Sequence, residues 1–231
     1  MTATDVVEGR MIAILATLLC LSSTAALLVA ERAAAAGRDT RRARRNAKLL
    51  ASAGFVVAAL AGAGSRYGRW IAGALAFGAL GDAALLGRKR RAFVAGMALF
   101  ALDHLGVMRA AALVVGPADW PLAWGLVPIA VGGAVVARLW SVLGMLRIPV
   151  AAYAALIAVT VTAACAPLLA GAPPWFGPRR AALLAAGAVC FFASDLAVAR
   201  QRFAHESFWN KAWGLPLYYA GQLLIAWSAA A

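Results

Sequence analysis

Three aspartates stand inside apolar stretches of this 231-residue chain: Asp82, Asp103 and Asp195. The other acidic residues, Asp5, Glu8, Glu31, Asp39, Asp119 and Glu206, fall at the start of the chain or in polar connections. Around the three lie further groups able to move or orient a proton: His104 beside Asp103, Ser194 beside Asp195, and Tyr219 and Gln222, three apart and so on one helix face. Two carboxyls sharing a partly desolvated pocket repel each other. One then keeps its proton while the other stays ionised, which makes an acid and base pair. Asp82 and Asp195 are the residues expected to form that pair. His104 is expected to point at the pocket, with Asp103 as an orienting or structural group, because side chains of adjacent helical residues diverge by about 100°. His205 lies in a charged connection and reads as a solvated residue. A metal held by the aspartates and His104 has no supporting ligand spacing, and no cofactor is expected.

The elements that must position these groups are membrane helices. Hydrophobic residues make up 64% of the chain and charged residues 13%, too little polar surface for a soluble domain of this length. The net charge of +13 comes from basic residues in short runs between apolar segments. That distribution fixes orientation in a bilayer and offers no basic face interleaved with aromatics, so a nucleic-acid partner is excluded. Cys20, Cys165 and Cys190 lie singly in apolar segments, as packed hydrophobes and without disulfide or zinc spacing.

The expected fold is all-α, a single bundle of eight transmembrane helices at 11–30, 49–64, 70–87, 92–115, 122–139, 148–170, 181–199 and 212–230. The first is too long for the core of a signal peptide and long enough to span. Arginine-rich residues 31–48 are expected to be a polar connection, and Gly171 to Pro178, with Pro173-Pro174, the clearest loop. Connections after the odd-numbered helices carry sixteen of the Lys and Arg residues; those on the other side carry five, with Arg109 at a helix end there. The excess places both termini outside the cytoplasm of a multi-pass cell-membrane protein. Trp70, Trp120, Trp124, Trp175 and Trp227 then anchor the outer boundary, and Trp140, Trp209 and Trp213 the inner one.

This topology sets the depth of the acids. Asp82 lies six residues before Arg88 and Asp195 five before Arg200, so each sits roughly 8 to 9 Å inside the cytoplasmic end of its helix. Tyr219 lies at similar depth and His104 about halfway through. The strings GDAALLGR and SDLAVAR, whose aspartates are 113 residues apart, suggest a four-plus-four duplication with parallel copies. For either aspartate alone, snorkelling or pairing with Arg88 or Arg200 is the bland alternative; shared depth with His104, Tyr219 and Gln222 argues for a pocket.

In order and placement, Gly81-Asp82 ending a third helix, F-x-x-x-H at Phe100 to His104, Ser194-Asp195 and Y-x-x-Q at Tyr219 to Gln222 resemble the YhhN-like, lysoplasmalogenase family of eight-helix membrane proteins. Val107 and Met108 depart from it where an aromatic often follows the histidine. The resemblance implies hydrolysis of the vinyl ether bond of a lysophospholipid, releasing a fatty aldehyde and a glycerophospho-choline or -ethanolamine. Asp82 and Asp195 would be the acid and base, in undecided order. His104, Tyr219, Gln222, Asp103 and Ser194 would position water or the glycerol portion, Phe191, Phe192 and Leu85 would line the alkenyl chain, and Arg88, Lys89 or Arg200 would meet the phosphate. The rival class is a proton-coupled transporter, which also uses intramembrane Asp and His but is expected to break helices at matching places in its two halves. A third is a lipid-binding or assembly protein whose aspartates only join helices.

Overall fold

The computed structural model describes the backbone at residues 3–87 and 89–230, and side chains from Val7 onward. Among these residues there is no strand. Eight α-helices follow in order: α1 Ala3–Ala35, α2 Arg41–Leu60, α3 Arg66–Ala84, α4 Arg90–Ala111, α5 Leu122–Leu143, α6 Arg147–Leu169, α7 Gly177–Ala199 and α8 Phe208–Ala230. Seven of them have 19 to 23 residues, about 29 to 35 Å, the thickness of a hydrocarbon core. α1, at 33 residues, projects beyond it. Four stretches are long and apolar enough to cross a membrane: Val7–Ala35, Arg90–Ala111, Leu122–Leu169 and Gly177–Ala204. They contain α1, α4, α5 with α6, and α7. The remaining helices carry more charge, glycine or polar aromatics, and composition alone does not establish them as spans.

The helix limits correct the sequence expectation at the first connection. Residues 31–35 continue α1, and residues 41–48 open α2. The polar loop shrinks to residues 36–40, where Gly37 takes a φ of +84° that ends α1. Alanine, arginine and lysine are strong helix formers, so the charges ride on helix that extends past the apolar segment. The gap expected between the helices at 122–139 and 148–170 narrows likewise to a 3₁₀ turn at Gly144–Leu146. α3 starts earlier than expected because the Ser65 hydroxyl accepts a hydrogen bond from the Gly68 amide at 2.9 Å. After α7, a π-turn at Arg200–Ala204 leads toward α8, which begins at Phe208.

Neighbours in sequence pair as hairpins, α1 with α2, α3 with α4, α5 with α6 and α7 with α8. Small residues let the backbones meet. A β-carbon added at Gly187 would lie 2.8 Å from the Gly221 carbonyl oxygen across α7 and α8, and one at Gly106 would lie 2.7 Å from Ala74 Cβ across α4 and α3. The core gathers around Phe55, Leu75, Phe100, Phe191, Tyr219 and Ile225. Leu, Val and Ile side chains cover much of the outside, including Leu126, Val127 and Ile129 of α5. Cys20 and Cys165 are buried, Cys190 partly so, and none is bonded to another.

Candidate functional site

Inside this apolar bundle lies a polar layer built from α2, α3, α4, α6, α7 and α8. Asp82, near the end of α3, is 2% exposed. Its Oδ1 stands 2.9 Å from the Lys48 ammonium of α2. Its Oδ2 accepts a hydrogen bond from Ser52 at 2.6 Å and a longer one, 3.4 Å, from the Tyr219 hydroxyl of α8. Lys48 and Ser52 are one helical turn apart on the face of α2 that buries Ala51 and Phe55, so both reach the same carboxylate. Asp82 is thus the anion of a buried ion pair supported by hydrogen bonds.

Asp195 of α7 has a different setting. Its Oδ2 lies 3.4 Å from His104 Nε2 of α4, and the Tyr153 hydroxyl of α6 donates to its Oδ1 at 3.5 Å. The contact between His104 and Asp195 is within ion-pair range but lacks hydrogen-bond alignment. Asp195 Oδ2 and both imidazole nitrogens are buried without a hydrogen-bond partner. The ring of His104 is fixed by stacking on Phe191, centroids 4.3 Å apart, and by the edge of Tyr153. Asp195 retains 15% side-chain exposure, against 3% for Asp82.

Asp103 links the two settings. It is fully buried, accepts a hydrogen bond from Gln222 Nε2 at 2.7 Å, and lies within electrostatic reach of both Asp82 and Asp195. Gly78 makes the room: a β-carbon there would come within 2.5 Å of Asp103 Oδ2 and 2.9 Å of Gln222 Nε2. Asp103 and His104 do point in different directions, as adjacent helical residues must. Yet both face protein, Asp103 toward α3 and α8 and His104 toward α6 and α7, because α4 is packed on both flanks.

The other sequence candidates separate. Tyr219 and Gln222 share the buried face of α8 but serve different acids, Asp82 and Asp103. The Ser194 hydroxyl turns back to the Phe191 carbonyl of its own helix at 2.7 Å. Lys89 and Arg200 are exposed at helix ends, and Arg88 lies outside the described residues. The cation beside Asp82 is Lys48, which sequence reasoning had placed in a loop; Ser52 and Tyr153 were missed as well. The available signal was the spacing of Lys48, Ser52 and Phe55 along a helical face. At the same end of the bundle, Glu31 of α1 binds Arg44 of α2 at 3.3 Å and Lys211 of α8 at 2.8 Å, which fastens three helices around the Lys48 pair.

A helical bundle with long apolar segments and a layer of buried acids is a multi-pass membrane protein built around an internal polar site. The chain belongs to the YhhN family, whose model matches residues 43–229 and so includes every group of the polar layer. Among curated proteins it is similar to a lysoplasmalogenase of Bos taurus, TMEM86A, with 33% identity over 156 residues, and to the Homo sapiens protein of the same name, with 34% identity over 156 residues. Each alignment covers 67% of this chain and 62% of the relative, so the match spans less than two thirds of the relatives' length. No solved structure matches the chain.

Proposed function

We propose that the chain is a lysoplasmalogenase-like hydrolase that cleaves the vinyl ether bond of a lysophospholipid by carboxylate acid and base chemistry. The observation that carries this reading is the free, buried capacity at Asp195 and His104, in the same polar layer as an ion-paired Asp82. Family membership and the named activity of the relatives support the same choice.

Vinyl ether hydrolysis begins with proton transfer to the β-carbon of the double bond. The electron pair of the double bond forms the new C–H bond, and the ether oxygen stabilises the resulting oxocarbenium ion. Water adds to the α-carbon and loses a proton, and the hemiacetal collapses to an aldehyde and a glycerol hydroxyl. The chemistry requires a proton donor and then a base. Asp195 fits the donor, because its neighbours are an imidazole and a phenol, groups that can pass a proton, whereas Asp82 faces a fixed ammonium. Asp82 with Lys48 supplies a steady charge pair near the developing cation. Asp103, held by Gln222, adds a second carboxyl on the opposite flank. Tyr219 and Tyr153 orient the two outer acids. All eight helices cross the membrane in this reading, with both termini outside, the site toward the cytoplasmic leaflet, and Lys89 and Arg200 near the phosphate.

The transporter alternative expects helices broken at matching places in the two halves. α5, α6 and α8 instead run through Pro128, Pro167 and Pro216 without interruption. The deciding experiment gives purified protein a panel of vinyl ether, alkyl ether and acyl lysophospholipids, with product masses recorded. Aldehyde release from the vinyl ether substrate alone, lost in Asp195→Asn, is the expected result. No aldehyde, or full turnover in Asp195→Asn, overturns the proposal.

A further inference from the structure

A second feature lies away from the polar layer, on the outer face of the α3 and α4 hairpin. A groove of about 490 Å³ runs between these helices, with Gly73, Ala74 and Gly106 as its floor and Phe77, Leu102 and Leu105 as its walls. None of the three aspartates of the polar layer or their partners lines it. Trp70, Arg109 and Trp120 close one end. From Phe77 to Trp70 is seven residues, or about 10 Å of helix, roughly two thirds of one leaflet's hydrocarbon depth.

A smaller hollow, about 310 Å³, is lined by Arg66, Arg69 and Trp70. Trp70 is therefore the wall shared by an apolar trench and a cationic cup. The Arg109 guanidinium stands 5.8 Å over the Trp70 ring at this junction, and among the described residues no carboxylate pairs with Arg66, Arg69 or Arg109. Asp119, exposed on the adjoining 3₁₀ turn, is the one acidic side chain of the connection after α4. Three cations against one anion, at the mouth of a trench open to lipid, match a particular ligand shape: an acyl chain below and an anionic phosphate above.

We infer that the α3 and α4 groove is a binding site for an anionic phospholipid, its chain on Gly73 and Phe77 and its phosphate among Arg66, Arg69 and Arg109. Occupancy is selective, because the trench alone suits any acyl chain, whereas the arginines favour net negative headgroups and lose that preference in salt. The site is independent of the hydrolase proposal and lies about 18 Å along α3 from Asp82, twelve residues away.

The test uses the full chain in detergent micelles, titrated with phosphatidylglycerol or phosphatidylcholine carrying brominated acyl chains. The readout is the tryptophan quenching present in the parent and absent from Trp70→Phe. Phosphatidylglycerol is expected to quench Trp70 at about tenfold lower mole fraction than phosphatidylcholine, with the difference shrinking at high salt. Arg66→Gln combined with Arg69→Gln is expected to remove the preference and keep the quenching. Gly73→Leu is expected to reduce quenching by both lipids; a β-carbon at Gly73 meets nothing within 4 Å, so the change fills the trench without straining the fold. Inorganic phosphate at matching concentration should not displace the lipid. Equal quenching by the two lipids would identify ordinary boundary lipid, and displacement by phosphate would identify a simple anion site. Either result, or indifference to Gly73→Leu, overturns the inference.

Discussion

Two aspartates of one residue type are given unlike roles by their neighbours. Lys48 is the only cation touching Asp82 among the described residues, and the pair is largely buried, so removing one partner leaves an uncompensated charge where water is scarce. Lys48→Met is expected to cost about 3 to 5 kcal/mol of stability, measurable as a lowered unfolding midpoint in detergent. The double change Lys48→Met with Asp82→Asn should recover most of that stability, since neither charge remains. If Asp82 also serves the reaction, the double variant stays inactive although it folds; recovery of turnover would make the pair purely structural. Asp195→Asn and His104→Gln test the other half. Each should lower turnover by about 10²- to 10⁴-fold, the usual contribution of a positioned proton-transfer group, with little change in unfolding midpoint. Of this layer, Asp82, Asp103, Asp195, His104, Tyr219 and Gln222 could be picked out in the sequence because polar groups inside apolar runs are conspicuous. Lys48 could not. It ends a run of arginines that reads as orientation charge, and only the start of α2 at Arg41 turns it toward the bundle.

Helices hold these groups by close approach more than by interlocking large side chains. Gly78 is the clearest case, since its missing β-carbon is the space in which Gln222 and Asp103 meet. Gly78→Ala forces that pair apart or pushes α3 from α4, at an expected cost of about 1 to 3 kcal/mol. The loss should appear both as a lower unfolding midpoint and as reduced turnover, whereas Gly73→Ala on the open side of the same helix should change neither. The number and order of the helices were legible from apolar runs and from turn residues such as Gly171 and Pro173-Pro174. Their ends were not. Hydropathy marks where a segment leaves hydrocarbon, but alanine, arginine and lysine let the helix run on into water. Hence α1 reaches Ala35 and α2 begins at Arg41. The glycines at helix contacts were visible as composition, yet nothing in a single chain says which glycine meets which helix.

At the scale of the whole molecule, part of the packing of the first four helices has a counterpart in the last four, although the contacts of α1 and α3 with α8 have no equivalent of similar extent. The contacts of α1 with α2, α2 with α3 and α3 with α4 recur as α5 with α6, α6 with α7 and α7 with α8, and α2 with α8 corresponds to α6 with α4. Asp82 on α3 is addressed from α2 by Ser52 and from α8 by Tyr219; Asp195 on α7 is addressed from α6 by Tyr153 and from α4 by His104. The helices that address the two aspartates correspond, α2 with α6 and α8 with α4, but the residues they present differ in type and in position along the helix. In the proposed topology an even number of crossings per half puts both aspartates toward one leaflet, and the excess of basic residues in the connections on that side makes the cytoplasmic leaflet the expected one. Single cysteines settle the orientation: Arg38→Cys in the connection after α1 and Ala172→Cys in the connection after α6, each in a chain whose three native cysteines are replaced by alanine. An impermeant maleimide applied to intact cells is expected to label Ala172→Cys, and to label Arg38→Cys only after the membrane is opened. The reverse pattern would place the polar layer toward the outer leaflet, and the proposed hydrolase would then have to draw its substrate from there.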